Sequence, residues 1–174
     1  MHRALPKGAI ITNEYPLRPE QCPPSEAGSY FGLSPVGGLG WGLGAALGIK
    51  KALPDRPVVS VLGDGAYMFN NPTACHFVSE ANDLPVLVMV FNNGCWGAVR
   101  NSTLAMHGQG AAAAGGGRLL ADLRPQPDYE KIVEAHRGLG LRATTVAELD
   151  EALARGFEAV ANGRQVLVNV LCDY

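Results

Sequence analysis

Two short motifs, Gly63-Asp64-Gly65 (GDG) and Asn92-Asn93 (NN), organise this chain. GDG directly follows the apolar run PVVSVL at 57–62, and NN directly follows the apolar run PVLVMVF at 85–91. The 26 residues between the motifs leave room for one helix and one strand. The spacing therefore predicts two neighbouring parallel strands whose carboxyl ends carry Asp64 and Asn93. In open α/β sheets, ligands bind at that edge.

The residue types at this edge indicate a metal and a phosphate. A carboxylate from Asp64 and an amide oxygen from Asn93 are hard ligands, which suit Mg²⁺ or Ca²⁺. Glycines beside them allow a phosphate to approach the backbone closely, and the N–H groups of Gly65 and Ala66 are candidate donors to its oxygens. One divalent cation at this edge could hold a diphosphate with few direct protein contacts.

Bulk properties narrow the class of protein. At 174 residues and a formal net charge of −2, we expect a single domain over 1–174. A net charge this close to zero does not indicate a protein that binds nucleic acid or an anionic membrane surface. No run of 18 apolar residues and no charged-then-apolar leader is present, so a cytoplasmic location is expected. The four cysteines are widely spaced, which favours reduced thiols over a zinc or disulfide framework.

Short apolar blocks that end in Gly, Asn or Pro predict a doubly wound α/β fold, a parallel sheet with helices on both faces. The five predicted strands are 8–12, 57–62, 85–91, 139–144 and 165–171. The predicted helices are one from the glycine-rich segment at 37–44 to about 52, and then 72–81, 98–105, 127–137 and 146–161. Asn71 is the expected cap of the second helix, and Thr145 with Glu148 forms a capping box for the last.

The GDG motif, with NN about two dozen residues later, resembles the thiamine diphosphate motif. The resemblance covers about Ile10 to Tyr174 and is to the carboxyl-terminal, diphosphate-binding domain of the acetolactate synthase / benzoylformate decarboxylase superfamily. It implies thiamine diphosphate and Mg²⁺ (or Ca²⁺) as cofactors. It also implies a 2-keto acid substrate, with either decarboxylation or carboligation as the reaction.

The resemblance assigns roles residue by residue. It implies metal ligation by the side chains of Asp64 and Asn93 and by the backbone carbonyl of Cys95. A carbonyl of the Gly37-Gly38 pair would receive the aminopyrimidine, and Leu39 would hold the cofactor bent. The remaining positions expected near the cofactor are Gly63, Gly65, Ala66, Trp96 and Gly97.

The chain also departs from the family. Tyr15-Pro16-Leu17 stands where relatives often carry Ser or Thr hydroxyls, so a phosphate role for that loop is not expected, and Glu14 is interpreted as a solvated loop acid. No match exists for the glutamate that activates the aminopyrimidine, which the family places on the pyrimidine domain of a neighbouring subunit. The resemblance therefore implies a pyrimidine-binding domain or subunit as partner, in a homo- or hetero-oligomer, and no activity without it.

Two other functions stay open at this point. The chain could be a non-catalytic module that binds thiamine diphosphate or another diphosphate. It could also be a nicotinamide-dependent oxidoreductase domain, because Gly40-x-Gly42-x-x-Ala45 formally matches the relaxed dinucleotide fingerprint. However, that motif requires an apolar strand directly before it, and none is found there.

Two further segments carry predictions. His76 is interpreted as a helix-face or packing histidine rather than a catalytic one. The low-complexity stretch HGQGAAAAGGGR at 107–118 is expected to be a flexible loop, and either a lid over the ligand site or a plain surface loop fits its composition.

Overall fold

A six-stranded, entirely parallel sheet forms the centre of the molecule. The computed structural model describes residues 2–20, 22–32, 36–116 and 120–173. The strands are β1 (Ile10–Glu14), β2 (Tyr30–Phe31), β3 (Val58–Gly63), β4 (Leu87–Asn92), β5 (Leu139–Ala143) and β6 (Val166–Leu171). Their order across the sheet is β2-β1-β3-β4-β6-β5.

Helices lie on both faces, so the predicted doubly wound fold is confirmed. The helices are α1 (Gly42–Ala52), α2 (Asp64–Phe69), α3 (Pro72–Ala81), α4 (Gly97–Met106), α5 (Ala111–Ala114), α6 (Glu130–Glu134) and α7 (Val146–Ala161). α1, α2 and α6 pack on one face of the sheet with α3 against them, and α7 covers the other face. None of the helices in these described ranges combines the length and the apolar character that crossing a membrane requires.

The two apolar cores follow from the alternation of side chains along each strand. In β3, Val58 and Leu62 contact the core beneath α1, whereas Val59 and Val61 contact the core beneath α7. Both sets are buried, which is why the strand is a continuous apolar run rather than an alternating one. All four cysteines are free thiols, as predicted.

The strand order creates a switch point between β1 and β3. The chain leaves β1 towards β2 on one side and leaves β3 towards β4 on the other. Connections that diverge in this way open a crevice at the carboxyl ends of the two strands, where α/β proteins bind ligands. Glu14 pairs with Leu62 in register, so the end of β1 lies level with the start of the GDG motif.

Several predicted boundaries are wrong. The sheet has six strands rather than five, because the two-residue β2 carries no pattern in the sequence. α1 begins at Gly42, not in the segment 37–41. The helix predicted over 127–137 is α only at Glu130–Glu134. The predicted loop 107–118 contains the short helix α5, and its residues 117 and 118 lie outside the described ranges.

The two predicted helix caps are each confirmed only in part. Thr145 accepts a hydrogen bond from the N–H of Glu148, which confirms that half of the capping box. The Glu148 carboxylate bonds the N–H of Thr144 rather than that of Thr145. Asn71 is the N-cap residue of α3, as predicted, and Pro72 occupies the first turn. The side chain of Asn71 makes no capping hydrogen bond, and its φ is 49°.

His76 is a packing histidine, as predicted, and lies in a buried polar network. Gln165 donates through Nε2 to the carbonyls of His76 and His136, at 3.1 and 2.9 Å. Its Oε1 therefore accepts from His76 Nδ1 at 2.8 Å, which leaves His76 Nε2 to accept from the Tyr67 hydroxyl at 2.8 Å. The neutral imidazole fits both partners without rearrangement.

We expect His76 to make stability depend on pH. Burial lowers the pKa of His76, and nearby His136 lowers it further, against the opposing Gln165 hydrogen bond. Below the unfolded-state pKa of about 6.5, the unfolded chain takes up a proton that the folded chain resists. The free energy of unfolding should therefore decrease as the pH is lowered through this window, by at most about 1.4 kcal/mol per pH unit. Urea denaturation between pH 7.5 and 5 measures the slope.

The matched control is a second histidine. His76→Gln should flatten the slope, whereas His107→Gln, at an exposed position, should leave it unchanged. Equal slopes for the native chain and His76→Gln would contradict the prediction.

Candidate functional site

A cavity of about 280 Å³ opens at the switch point, on the carboxyl edge of the sheet. Its walls come from the segments that follow β1, β3 and β4, together with Leu39 from the segment between β2 and α1. Its lining residues include Glu14, Tyr15, Leu39, Gly63, Asp64, Gly65, Asn93, Cys95 and Trp96. The fold thus brings residues from distant parts of the chain to one crevice.

Asp64 lies at the centre of this wall. It is the first residue of α2, directly after β3, and only 2% of its surface is exposed. Oδ1 accepts from the N–H of Gly65 at 2.9 Å, and Oδ2 accepts from those of Gly94 and Cys95 at 2.8 and 3.2 Å. One carboxylate therefore connects the end of β3 to the turn that follows β4.

Burial raises the pKa of Asp64, and the hydrogen bonds from the N–H groups of Gly65, Gly94 and Cys95 partly oppose that rise. The ionised carboxylate has lost most of its water, and these donors are neutral amides. A divalent cation beside it would stabilise the ionised form far more than an amide does. The electrostatics of this position therefore fit a metal ion.

Asn93 contacts the same backbone group as Asp64. Its Oδ1 accepts from the N–H of Cys95 at 2.9 Å, and Asp64 Oδ2 accepts from the same N–H at 3.2 Å. The two side-chain oxygens can therefore be no farther apart than the sum of these distances, about 6 Å. Two oxygens on one Mg²⁺ or Ca²⁺ lie within about 5 Å of each other, so a small side-chain rotation would allow both to coordinate one ion.

Cys95 offers its backbone rather than its side chain. Its carbonyl accepts from the N–H of Gly97 at 2.8 Å, which leaves the second lone pair of that oxygen available. Burial raises the pKa of its thiol, so the sulfur is disposed to remain protonated. Among the described residues, no group of three or more His, Cys, Asp and Glu side chains could hold a metal. A metal here would take its other ligands from an amide, a carbonyl and the bound molecule.

Asn92 braces the turn that carries Asn93. It is fully buried, and its Oδ1 accepts from the N–H of Gly94 at 3.3 Å. Its Nδ2 donates to Asn169 Oδ1 in the adjacent strand β6, at 3.2 Å. The first asparagine of the pair therefore fixes the backbone, and the second presents its oxygen to the cavity.

Trp96 packs directly on the GDG motif. A Cβ atom at Gly65 would lie 1.8 Å from Cδ1 of the indole, so only glycine fits at that position. On its other side the indole stacks on Phe69, with ring centroids 5.6 Å apart. Its Nε1–H is buried and has no hydrogen-bond partner in the described structure. An unpaired donor beside the cavity fits a ligand that brings its own acceptors, as a phosphate does.

Some of the remaining predicted site residues line the cavity, and others do not. Leu39 lines the cavity, as do Gly63, Ala66 and Gly97 around the Asp64 and Asn93 positions. Gly37 and Gly38 are exposed and do not belong to the residues that line this cavity. Their predicted contact with a cofactor stays a prediction.

The glycines that suggested a dinucleotide fingerprint have packing roles instead. A Cβ atom at Gly40, where φ is +94°, would lie 2.6 Å from the carbonyl oxygen of Phe69. A Cβ atom at Gly42 would lie 2.8 Å from Glu14 Oε1. Contacts within the chain therefore account for both glycines without a nucleotide.

Glu14 is the residue that the sequence interpretation got wrong. It is not a solvated loop acid, because none of its surface is exposed and its carboxylate accepts hydrogen bonds from the start of α1. It also lines the cavity. The available signal was its position, two residues beyond the predicted strand 8–12 and close to the level of the GDG motif in a parallel sheet.

These features define a doubly wound α/β domain with an oxygen-rich ligand cavity at its switch point. Residues 20–170 match the family model described as "Thiamine pyrophosphate enzyme, C-terminal TPP binding domain". The chain belongs to this family. The match covers the whole sheet except the first strand.

Three curated proteins are similar to this chain in sequence. A probable acetolactate synthase from Mycobacterium bovis is 36% identical over 146 residues, which is 84% of this chain and 24% of that protein. Acetolactate synthase isozyme 3 large subunit from Escherichia coli is 33% identical, and oxalyl-CoA decarboxylase from the same organism is 32% identical; each match covers 79% of this chain and 22% of the relative. The chain thus spans about a quarter of the length of these relatives.

Solved structures show the same fold. The thiamine diphosphate-dependent 4-hydroxybenzoylformate decarboxylase of Rhodococcus jostii superposes with a TM-score of 0.81 at 24% identity, over 99% of this chain and 31% of the other. Benzoylformate decarboxylase from Polynucleobacter necessarius superposes with a TM-score of 0.75 at 22% identity, over 99% of this chain and 31% of the other.

The contact between Gly65 and Trp96 generates a stability prediction. Gly65→Ala should lower the free energy of unfolding by roughly 1–3 kcal/mol, because the added methyl group overlaps the indole. Gly44→Ala is the matched control, because a Cβ atom there meets nothing within 4 Å and alanine favours a helix by about 1 kcal/mol. Urea denaturation, followed by tryptophan fluorescence, compares them. Equal midpoints for Gly65→Ala and the native chain would contradict the close contact.

Proposed function

We propose that this chain binds the diphosphate of thiamine diphosphate through Mg²⁺, with Ca²⁺ as an alternative ion, as part of a 2-keto acid decarboxylase or an acetolactate synthase-like carboligase. The observation that carries the proposal is the shared N–H of Cys95, which brings the oxygens of Asp64 and Asn93 within about 6 Å of each other. Membership of the thiamine pyrophosphate enzyme family supports the choice of cofactor.

Within this proposal, the residues divide by the part of the cofactor that they face. Asp64, Asn93 and the carbonyl of Cys95 bind the metal. The N–H of Ala66 and the unpaired indole N–H of Trp96 serve the phosphate oxygens. The N–H of Gly65, which the sequence also offered to the phosphate, donates to Asp64 Oδ1 instead. Leu39, on another side of the cavity, contacts the rings, with Gly37 and Gly38 before it and Gly63 and Gly97 beside the anchor.

When bound, the thiazolium ring supplies the electron sink that decarboxylation of a 2-keto acid needs. The residues of this chain bind and orient that ring. Asp64 fixes the diphosphate end through the metal, and Leu39 limits where the rings can lie. Apolar walls from Leu39 and Trp96 reduce the access of water to the site.

We propose that a pyrimidine-binding domain or subunit completes this site, in a homo- or hetero-oligomer. The chain spans about a quarter of its curated relatives, and the family resemblance places the activating glutamate on a pyrimidine-binding domain. Its cavity is rimmed by apolar side chains that are more than half exposed in the described structure, Tyr15 at 56% and Val99 at 55%. A partner that covers this rim would remove that apolar surface from water.

The metal proposal is tested by calorimetric titration of the chain with thiamine diphosphate, with and without Mg²⁺. We expect binding only with Mg²⁺, and its loss in Asp64→Ala, because the remaining ligands lack a charge to hold the ion. Asp55→Asn, at an exposed site, is the matched control and should bind as the native chain does. Metal-independent binding, or full binding by Asp64→Ala, would refute the proposed anchor.

The partner proposal makes a second prediction. The purified 174-residue chain should show no measurable decarboxylation of pyruvate or benzoylformate with thiamine diphosphate and Mg²⁺ present, because the proposed activating acid belongs to another domain. Addition of a pyrimidine-binding domain that carries that glutamate should produce activity. Carbon dioxide release by the chain alone would contradict the proposal.

A further inference from the structure

Glu14, the last residue of β1, is a buried carboxylate that the cofactor anchor does not use. It accepts four hydrogen bonds. Oε2 accepts from the N–H of Gly40 at 2.8 Å, and Oε1 accepts from those of Trp41 and Gly42 at 3.0 and 2.5 Å. Asn70 Nδ2 donates the fourth to Oε1, at 3.0 Å.

These donors include the first backbone N–H groups of α1, which have no partners within the helix. A carboxylate at a helix N-terminus also interacts favourably with the helix dipole. Three of the four donors are backbone N–H groups and the fourth is the side-chain amide of Asn70, so neutral amides stabilise the Glu14 carboxylate. Because a single side chain bonds three consecutive residues, the path of the segment 40–42 is fixed relative to β1.

Asn70, the C-cap of α2, completes the arrangement. Its Oδ1 accepts from the N–H of Leu43 at 2.9 Å, and its Nδ2 donates to the Ala66 carbonyl at 2.8 Å as well as to Glu14. Asn70 is also buried. The Glu14–Asn70 pair therefore connects the start of α1 to α2, which begins with the proposed metal ligand.

The packing around this pair leaves little freedom. A Cβ atom at Gly42 would lie 2.8 Å from Glu14 Oε1 and 3.0 Å from Leu62. A Cβ atom at Gly40 would lie 2.6 Å from the Phe69 carbonyl oxygen. Leu39 directly precedes this immobilised segment and lines the cavity together with Glu14.

We propose that Glu14, with Asn70, is a positioning residue that holds Leu39 against the ring portion of bound thiamine diphosphate. This inference rests on the proposed function. Asp64 and Asn93 set the diphosphate end from the loops after β3 and β4. The Glu14–Asn70 pair, from β1 and the end of α2, holds the segment that follows Leu39. The two ends of the cofactor are thus fixed by two buried carboxylates on adjacent strands.

Inorganic pyrophosphate and thiamine diphosphate, each titrated with Mg²⁺ into the full chain, separate the two ends. Pyrophosphate has no rings, so it reports only on the anchor. Glu14→Ala should weaken thiamine diphosphate binding by about tenfold or more and leave pyrophosphate binding within about twofold of the native value. A variant that merely loosens the fold would weaken both.

Glu14→Gln keeps the volume of the side chain, so it should fold even if Glu14→Ala does not. Its Oε1 can still accept from Trp41 and Gly42, but its amide nitrogen would face the N–H of Gly40. We therefore expect an intermediate loss for thiamine diphosphate. Leu39→Ala should show the same selective loss, because it removes the side chain that the pair positions. Glu20→Gln, an exposed acid, is the control and should bind both probes normally.

The outcomes distinguish this inference from the proposed function. Selective loss of thiamine diphosphate binding in both folded Glu14 variants and in Leu39→Ala supports the positioning role. Native binding of both probes, with equal losses or no loss in the variants, would overturn the positioning role and leave the metal anchor standing. Failure of the native chain to bind either probe would overturn the proposed function, and the inference with it.

Discussion

The buried carboxylate of Asp64 is the constraint on which the site depends. It follows β3, yet its Oδ2 accepts from two N–H groups in the turn after β4. The turn is therefore held in the conformation that brings the Asn93 oxygen to the same N–H. Burial raises the pKa of Asp64, and the amides only partly offset that rise. The fold thus keeps an acid where a cation would stabilise it.

Two buried acids stand at the ends of adjacent strands, and their surroundings give them different roles. Glu14 receives four hydrogen bonds, three of them from the N-terminal region of an 11-residue helix. These neutral donors satisfy both of its oxygens, which suits a structural support. Asp64 opens the short helix α2 and faces the cavity with fewer donors. Both side chains are carboxylic acids, so it is the difference in their surroundings that makes Glu14 a structural support and Asp64 the proposed metal ligand.

The boundaries that were predicted wrongly have local physical causes. The segment 127–137 has helical spacing, but near its ends the N–H groups of Lys131 and Arg137 bond carbonyls only three residues back, so the α-helix is confined to Glu130–Glu134. β2 consists of two residues paired with β1, which is too short for any periodicity to show. α1 begins late because Glu14 holds the segment 40–42 in its own path.

The sequence alone determined the class of fold and the pair Asp64 and Asn93, because apolar runs and the spacing of two motifs are local properties of the chain. Parallel strands bring their carboxyl ends to one edge, so that pairing could be inferred without coordinates. Only the tertiary structure decided that Glu14 is buried, that Trp96 packs on Gly65, and that Asp64 and Asn93 accept from the same N–H of Cys95. Whether an acid at a strand end meets solvent or a helix N-terminus depends on where a helix that begins 28 residues later packs, and no local pattern records that.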